Sequence, residues 1–271
     1  MDPVQLIAFP VQLVSDPFRV HRAGETYYPF RLPRCPTDWS SRDPAVLSQS
    51  LQCQVRNNYA DFDQLSGMCQ EPSYREQLWT GIYDEPTKKV SVLQNYYVSQ
   101  EQKEEECQKF LQRLKGYQDT LSRDQDVFNQ KDWDVRTYAI VLLYKGEYFG
   151  HIYAWLSPSK PPRCFAMGIR GRVDSVFRED QLQNVSAYLF EGVRKFALAK
   201  GCQAMTVTKP LRIMEAILKR MGFERKTVVG ETIGRSLAFP RNSEDEICYS
   251  CYSHDLIRPF TGETSVTFDL V

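Results

Sequence analysis

Residues 188–224 read "YLFEGVRKFALAKGCQAMTVTKPLRIMEAILKRMGFE". Val185, Tyr188, Leu189, Gly192, Val193, Phe196 and Ala197 follow an i, i+3, i+4, i+7, i+8 spacing, which predicts one apolar face of a helix over 184–200. Lys195 and Lys200 lie toward its C-terminal end, and Gly201 closes it. "QAMTVT" (203–208) predicts a strand. Pro210 suits the first turn of a second helix over 210–221, with Leu211, Met214, Leu218 and Met221 on its apolar face. Gly222 then offers a left-handed stop, and Phe223 anchors the strand "ERKTVVG" in a core.

The pattern extends upstream and downstream. "VRTYAIVLLYKGEYFGHIYAWL" (135–156) has two apolar runs around Lys145-Gly146-Glu147 and predicts a hairpin. "RCFAMGI" (163–169) adds a third strand. Strand 163–169, helix 184–200 and strand 203–208 then form a β-α-β crossover inside an otherwise antiparallel run. "DEICYSCYSHDL" (245–256) alternates and predicts the last strand. Before the hairpin, "KKVSVLQNYYV" (88–98) predicts a strand. "SQEQKEEECQKFLQRLKG" (99–116) predicts a helix capped by Ser99 and stopped by Gly116. Residues 1–87 hold nine prolines of the chain's 15, at 3, 10, 17, 29, 33, 36, 44, 72 and 86. They predict an irregular extension of turns and short edge strands packed on a domain at 88–256, with 257–271 as a tail.

Bulk properties narrow the class. Lysine plus arginine and aspartate plus glutamate are both 34, so charge gives no reason to expect nucleic acid or an anionic membrane as a partner. No apolar run reaches the ~20 residues of a spanning helix. The proline-broken N-terminus does not resemble a secretory leader. The eight cysteines are therefore expected as reduced, mostly buried thiols of an intracellular protein.

Over 185–224, and by element order over roughly 88–256, the chain resembles the GCN5-related N-acetyltransferases (GNAT). In that family a helix ends in glycine, a strand follows, and a short helix ends in Gly-Phe. The resemblance implies an α/β (α+β) fold: a mixed, mostly antiparallel sheet with helices on both faces. It implies acetyl-CoA as cofactor, lying in the notch between strands 163–169 and 203–208, and a small-molecule or protein amine as acceptor. The family's phosphate loop follows the third strand, where this chain has Gly168, Ile169, Arg170, Gly171, Arg172, Val173, Asp174 and Ser175. Arg170 matches the loop's first position, and Arg170 and Arg172 would supply charge to a phosphate. Val173 stands where the first loop glycine is expected and Ser175 where the second small residue is. Leu218 occupies the place of the family's usual proton-donating tyrosine, so the catalytic residues stay unassigned.

Other constellations fit packing better than chemistry. Cys248, Cys251 and His254 have metal-like spacing, but alternation over 246–256 favours a strand, and no metal is expected. Tyr188 and Cys164 read as core, Glu191 as a solvated helix face, and His151 as a packed strand residue. Two functions follow from the resemblance. The first is an acetyl-CoA-dependent N-acetyltransferase, preferred because most proteins of that fold are enzymes. The second is a catalytically inactive structural or interaction protein, part of a larger or viral assembly, with a protein partner met through the N-terminal extension.

Overall fold

The computed structural model of the chain describes residues 4–12, 35–70, 108, 136–157, 160–171, 182, 184–208, 212–229, 248–256, 258, 260 and 266–271. In chain order the elements are β1 (Val4–Pro10), α1 (Pro44–Gln70), β2 (Thr137–Tyr144), β3 (Glu147–Leu156), β4 (Cys164–Gly171), α2 (Val185–Ala199), β5 (Ala204–Thr208), α3 (Arg212–Arg220), β6 (Glu224–Val229), β7 (Cys248–Asp255) and β8 (Val266–Leu270). Eight strands make one sheet in the order β6-β7-β5-β4-β3-β2-β1-β8. The β4–β5 and β1–β8 pairs are parallel, and the other five are antiparallel. This is the expected mixed, mostly antiparallel sheet. The predicted strand 88–98 and helix 99–116 lie outside the described residues, apart from Gln108, which is helical.

Side-chain alternation along the central strands divides the core between two faces. Leu6, Ala8, Ile140, Leu142, Ile152 and Ala154 point to one face and pack with Leu189, Val193 and Phe196 of α2. Ile7, Phe9, Ala139, Val141 and Leu143 point to the other and pack with Leu47, Leu51 and Val55 of α1. Helices therefore cover both faces.

The chain ends differ from the sequence expectation. Val4–Pro10 is not part of an irregular extension but an interior strand, antiparallel to β2 and parallel to β8. Pro44–Gln70 is a 27-residue helix. The prolines bracket these elements instead of breaking them. Pro10 ends β1 and Pro44 begins α1, where a missing N–H costs no helical bond. Residues 266–270, expected as tail, form edge strand β8, and Val271 N–H donates to the Ala8 carbonyl at 2.9 Å.

Residues 35–43 run back along α1. Asn57 brackets Cys35, its Oδ1 accepting from Cys35 N–H at 2.8 Å and its Nδ2 donating to the Cys35 carbonyl at 3.0 Å. Ser50 Oγ accepts from Asp38 N–H and donates to the Asp38 carbonyl. Cys35 and Cys53 are joined as a disulfide, unlike the expected free thiols, whereas Cys164 and Cys202 are free and buried.

Both helices of the opening stretch end as the sequence predicts. Gly201 (φ 74°) and Gly222 (φ 90°) are left-handed. Cys202 N–H reaches the Ala197 carbonyl and Gly201 N–H the Leu198 carbonyl; Phe223 and Gly222 repeat the pattern with Leu218 and Lys219. These paired bonds satisfy carbonyls that the helix ends would leave open. Phe223 is thereby set beside Phe190, Phe260 and His254, with ring centroids 5.9, 5.4 and 5.0 Å away. Truncating this side chain leaves a cavity where three aromatic groups meet. Phe223→Ala is expected to cost about 3–5 kcal/mol, read from urea unfolding midpoints.

His254 is 5% exposed within this aromatic cluster. Burial lowers its pKa below the usual histidine value, outweighing the opposing effect of Asp255. A lowered folded-state pKa favours folding while the imidazole is neutral. That contribution is complete above the unfolded value near 6.5 and is lost as pH falls toward the folded one. The unfolding midpoint should therefore drop between pH 7.5 and 5.5, and His254→Phe should flatten that dependence.

Candidate active site

The parallel β4–β5 ladder is short. Among the described residues it joins Cys164 to Met205, Phe165 to Thr206 and Ala166 to Val207. β4 nevertheless continues to Gly171, paired with β3, while β5 continues to Thr208, paired with β7. Met167 and Thr208, next along the two strands, do not extend the parallel ladder, so the pairing stops toward their carboxyl ends. That is where open α/β sheets place their ligand crevices.

A bulge marks the point of parting. Tyr153 of β3 faces Met167 of β4, but His151 faces Arg170, so β4 spends one more residue than β3 over this span. Gly168, within it, has φ +64°. A Cβ there would come 2.9 Å from Tyr153 Cδ2, so glycine is required both by the left-handed backbone and by the ring.

The first turn of α2 rests at the end of β4. A Cβ on Gly150 of β3 would lie 2.5 Å from the Arg170 carbonyl oxygen and 3.2 Å from Val185 Cγ1. Gly150 therefore lets the start of α2 settle onto β3 beside β4. Asn184, at the N-cap, is left-handed (φ 61°, ψ 32°) and makes no side-chain cap. Its carbonyl accepts from Ala187 and Tyr188 N–H. The partial positive charge of the helix N-terminus thus lies close to the notch.

Of the predicted site residues, Gly168, Ile169, Arg170 and Gly171 are the last four of β4 and border the notch. Arg172, Val173, Asp174 and Ser175 lie outside the described residues. Ile169 packs toward the α2 core. Arg170, next along the strand, therefore turns to the opposite face. It is 4% exposed, and its Nη1 donates to the Ile169 carbonyl at 2.7 Å. Its guanidinium faces away from α2, not toward a phosphate at that helix's N-terminus.

The other singled-out residues divide. Cys164 is fully buried, and burial raises its thiol pKa well above the ordinary value; Cys202, also buried, is raised to about 11. Neither is poised as a thiolate nucleophile. Tyr188 packs at the edge of the α2 core. Glu191 is not the solvated residue expected: it is 8% exposed and accepts two bonds from Arg194, from Nε at 2.9 Å and Nη2 at 2.8 Å. Leu218 is fully buried and holds no proton to give. On the same helix Glu215 accepts a 3.1 Å hydrogen bond from Tyr252 OH of β7.

Sequence reading missed a polar group on the α1 face. Tyr148 OH and His151 Nδ1 are 2.6 Å apart, and both residues are buried. In a regular strand, positions 148 and 151 point to opposite sides. A second bulge reverses this: Leu142 faces Gly150 but Leu143 faces Tyr148, so Phe149 is the extra residue. The aromatic-rich run carried the signal, but the bulge removed it from the periodicity.

No family model matches the chain, and no curated protein matches it. Solved structures do overlap part of it. A Klebsiella pneumoniae protein assigned to the acyl-CoA N-acyltransferases is 14% identical, over 56% of this chain and 90% of its own, with a TM-score of 0.36. A GNAT family acetyltransferase from Elizabethkingia anophelis with acetyl-CoA bound is 12% identical, over 44% and 76%, at 0.31. FeeM, an N-acyl amino acid synthase from uncultured soil microbes, is 9% identical, over 45% and 69%, at 0.32.

The bulge at Gly168 gives a direct test of the notch. Gly168→Ala must strain the left-handed backbone and push on Tyr153, at a cost of about 1–3 kcal/mol. Chemical denaturation should show that loss.

Proposed function

We propose that the chain is an acyltransferase that uses acetyl-CoA to acetylate an amine. The observation that carries this is the parting of β4 from β5 at the Gly168 bulge. Past Ala166 the side of β4 that β5 had paired turns to the notch, an arrangement suited to an extended, amide-bearing cofactor arm. The uncapped first turn of α2 sits beside it, held there by the absence of a side chain at Gly150. The residues present thus fit the cofactor in kind: backbone donors along one wall, a helix N-terminus at the end, and apolar packing beneath.

Bound there, acetyl-CoA supplies an activated thioester carbonyl. The chain's part is to hold the cofactor along Gly168–Gly171, to offer backbone N–H groups where negative charge develops on the carbonyl oxygen, and to exclude water. Arg170 supports the strand from the opposite face through its bond to the Ile169 carbonyl. The acceptor amine, on a small molecule or a protein, approaches over the β2–β3 hairpin.

Calorimetric titration with acetyl-CoA tests this. Micromolar binding with a thermal upshift is expected, and Gly168→Ala should weaken it at least tenfold while the protein stays folded. No heat and no thermal shift at millimolar acetyl-CoA would overturn the proposal.

A further inference from the structure

Residues 35–43 form a strap that runs along α1 and then turns into it. Asp43 starts the helix, its carbonyl accepting from Leu47 N–H and its Oδ1 from Ala45 N–H. At the strap's other end Cys35 is bonded to Cys53, 18 positions on. The strap does not lie on the flank of α1 that meets the sheet. Leu47, Leu51 and Val55 pack toward the sheet, whereas Ser50, Cys53 and Asn57 recur at the i, i+3, i+7 spacing of a second flank.

That second flank is buried yet polar. Ser50 is 3% exposed and Asn57 8%. Ser50 Oγ meets the N–H and the carbonyl of Asp38, and the Asn57 amide meets those of Cys35. Bonds of this kind exchange for bonds to water at small net cost. Trp39 is the strap's large apolar side chain; it is half-buried and stacks on Tyr148 with centroids 5.9 Å apart. Arg42 pairs with Asp269 at 3.0 Å, but both side chains are largely exposed, so the pair holds weakly. Lifting the strap would wet a hydroxyl, an amide and an indole, and would leave Leu47, Leu51 and Val55 on the sheet. The disulfide is the one contact among these that water cannot replace.

We propose that Cys35–Cys53 is a redox latch. Oxidised, it holds strap 35–43 on α1; reduced, it frees the strap and uncovers Trp39 and Tyr148 while the sheet stays folded. The reductant is a dithiol. Cys35 is half-buried and Cys53 buried, which favours attack from the Cys35 side. A thiolate of the dithiol bonds to Cys35 Sγ, the S–S bond breaks, and Cys53 leaves as a thiolate that takes a proton from solvent. The second thiol of the dithiol gives up its proton and attacks the mixed disulfide. Cys35 is released and protonated in turn. The dithiol becomes a disulfide and loses two electrons, which the protein gains; a disulfide reagent closes the latch by the reverse steps. Cys164 and Cys202 are buried and free, and Leu189 and Val193 of α2 pack in the same core cluster.

The test uses the full chain, oxidised and after millimolar dithiothreitol under native conditions. Trypsin cuts after Arg34, Arg42 and Arg56, so unreduced digests should show peptide 35–42 joined to peptide 43–56. Dithiothreitol should abolish the joined mass. Hydrogen exchange of amides 37–42 should become at least about tenfold faster on reduction, while β1, β2 and β3 keep their protection. Trp39→Phe identifies the emission due to Trp39, which should move to the red. Cys53→Ser should exchange like reduced wild type in either redox state; should that variant fail to fold, wild type with and without dithiothreitol decides. Absence of the joined peptide, a bridge that resists native reduction, or equal strap exchange in both states would each overturn the latch. So would loss of protection in β1, β2 and β3 together with the strap, because the bridge would then be a staple of the whole fold.

Discussion

The site depends on one limited interaction, the three-residue parallel ladder between β4 and β5. Parallel strands need a crossover, and α2 provides it, lying across the sheet with Leu189, Val193 and Phe196 against β1 to β4. A longer ladder would close the notch. A shorter one would leave β4 held only by β3 and disconnect the two halves of the sheet. The left-handed Gly168 sets the length, because the bulge it permits keeps β4 in register with β3 while β5 follows β7.

Much of this was legible in residues 135–229. The hairpin turn at Lys145-Gly146, with both residues at positive φ, follows from a short glycine-containing break between apolar runs. The ends of α2 and α3 follow from Gly201 and Gly222, since few other residues accept the left-handed conformation. The chain ends were not legible. β1 is interior, with Leu6 and Ile7 both fully buried, so its apolar run carries no alternation to announce a strand. Its link to the sheet is made by residues more than a hundred positions away, which no local pattern records. β8 is short and alternates only weakly.

The polar pair was lost for a different reason. Periodicity assumes a regular strand, and each bulge shifts the side-chain phase by one residue. His151 read singly is an ordinary packed histidine, and Tyr148 an ordinary strand aromatic. Only the two register shifts, at Leu142/Leu143 and His151/Tyr153, place them together beside Arg170. Local irregularity thus creates the buried pair and conceals it from sequence reading at once.

The two faces of the sheet meet different neighbours at this point. Gly150 admits the first turn of α2 on one face, and the same strand one residue later carries His151 to the other. On the proposed function, a cofactor would reach the parted strand from the α2 side, while α1 covers the other. That geometry needs β3 and β4 to be thin at this point. Gly150, Gly168 and Gly171 provide it, because the strands carry no side chain at those three positions. The loss of packing there is offset by the dense apolar clusters on either side, which hold the irregular strands in register.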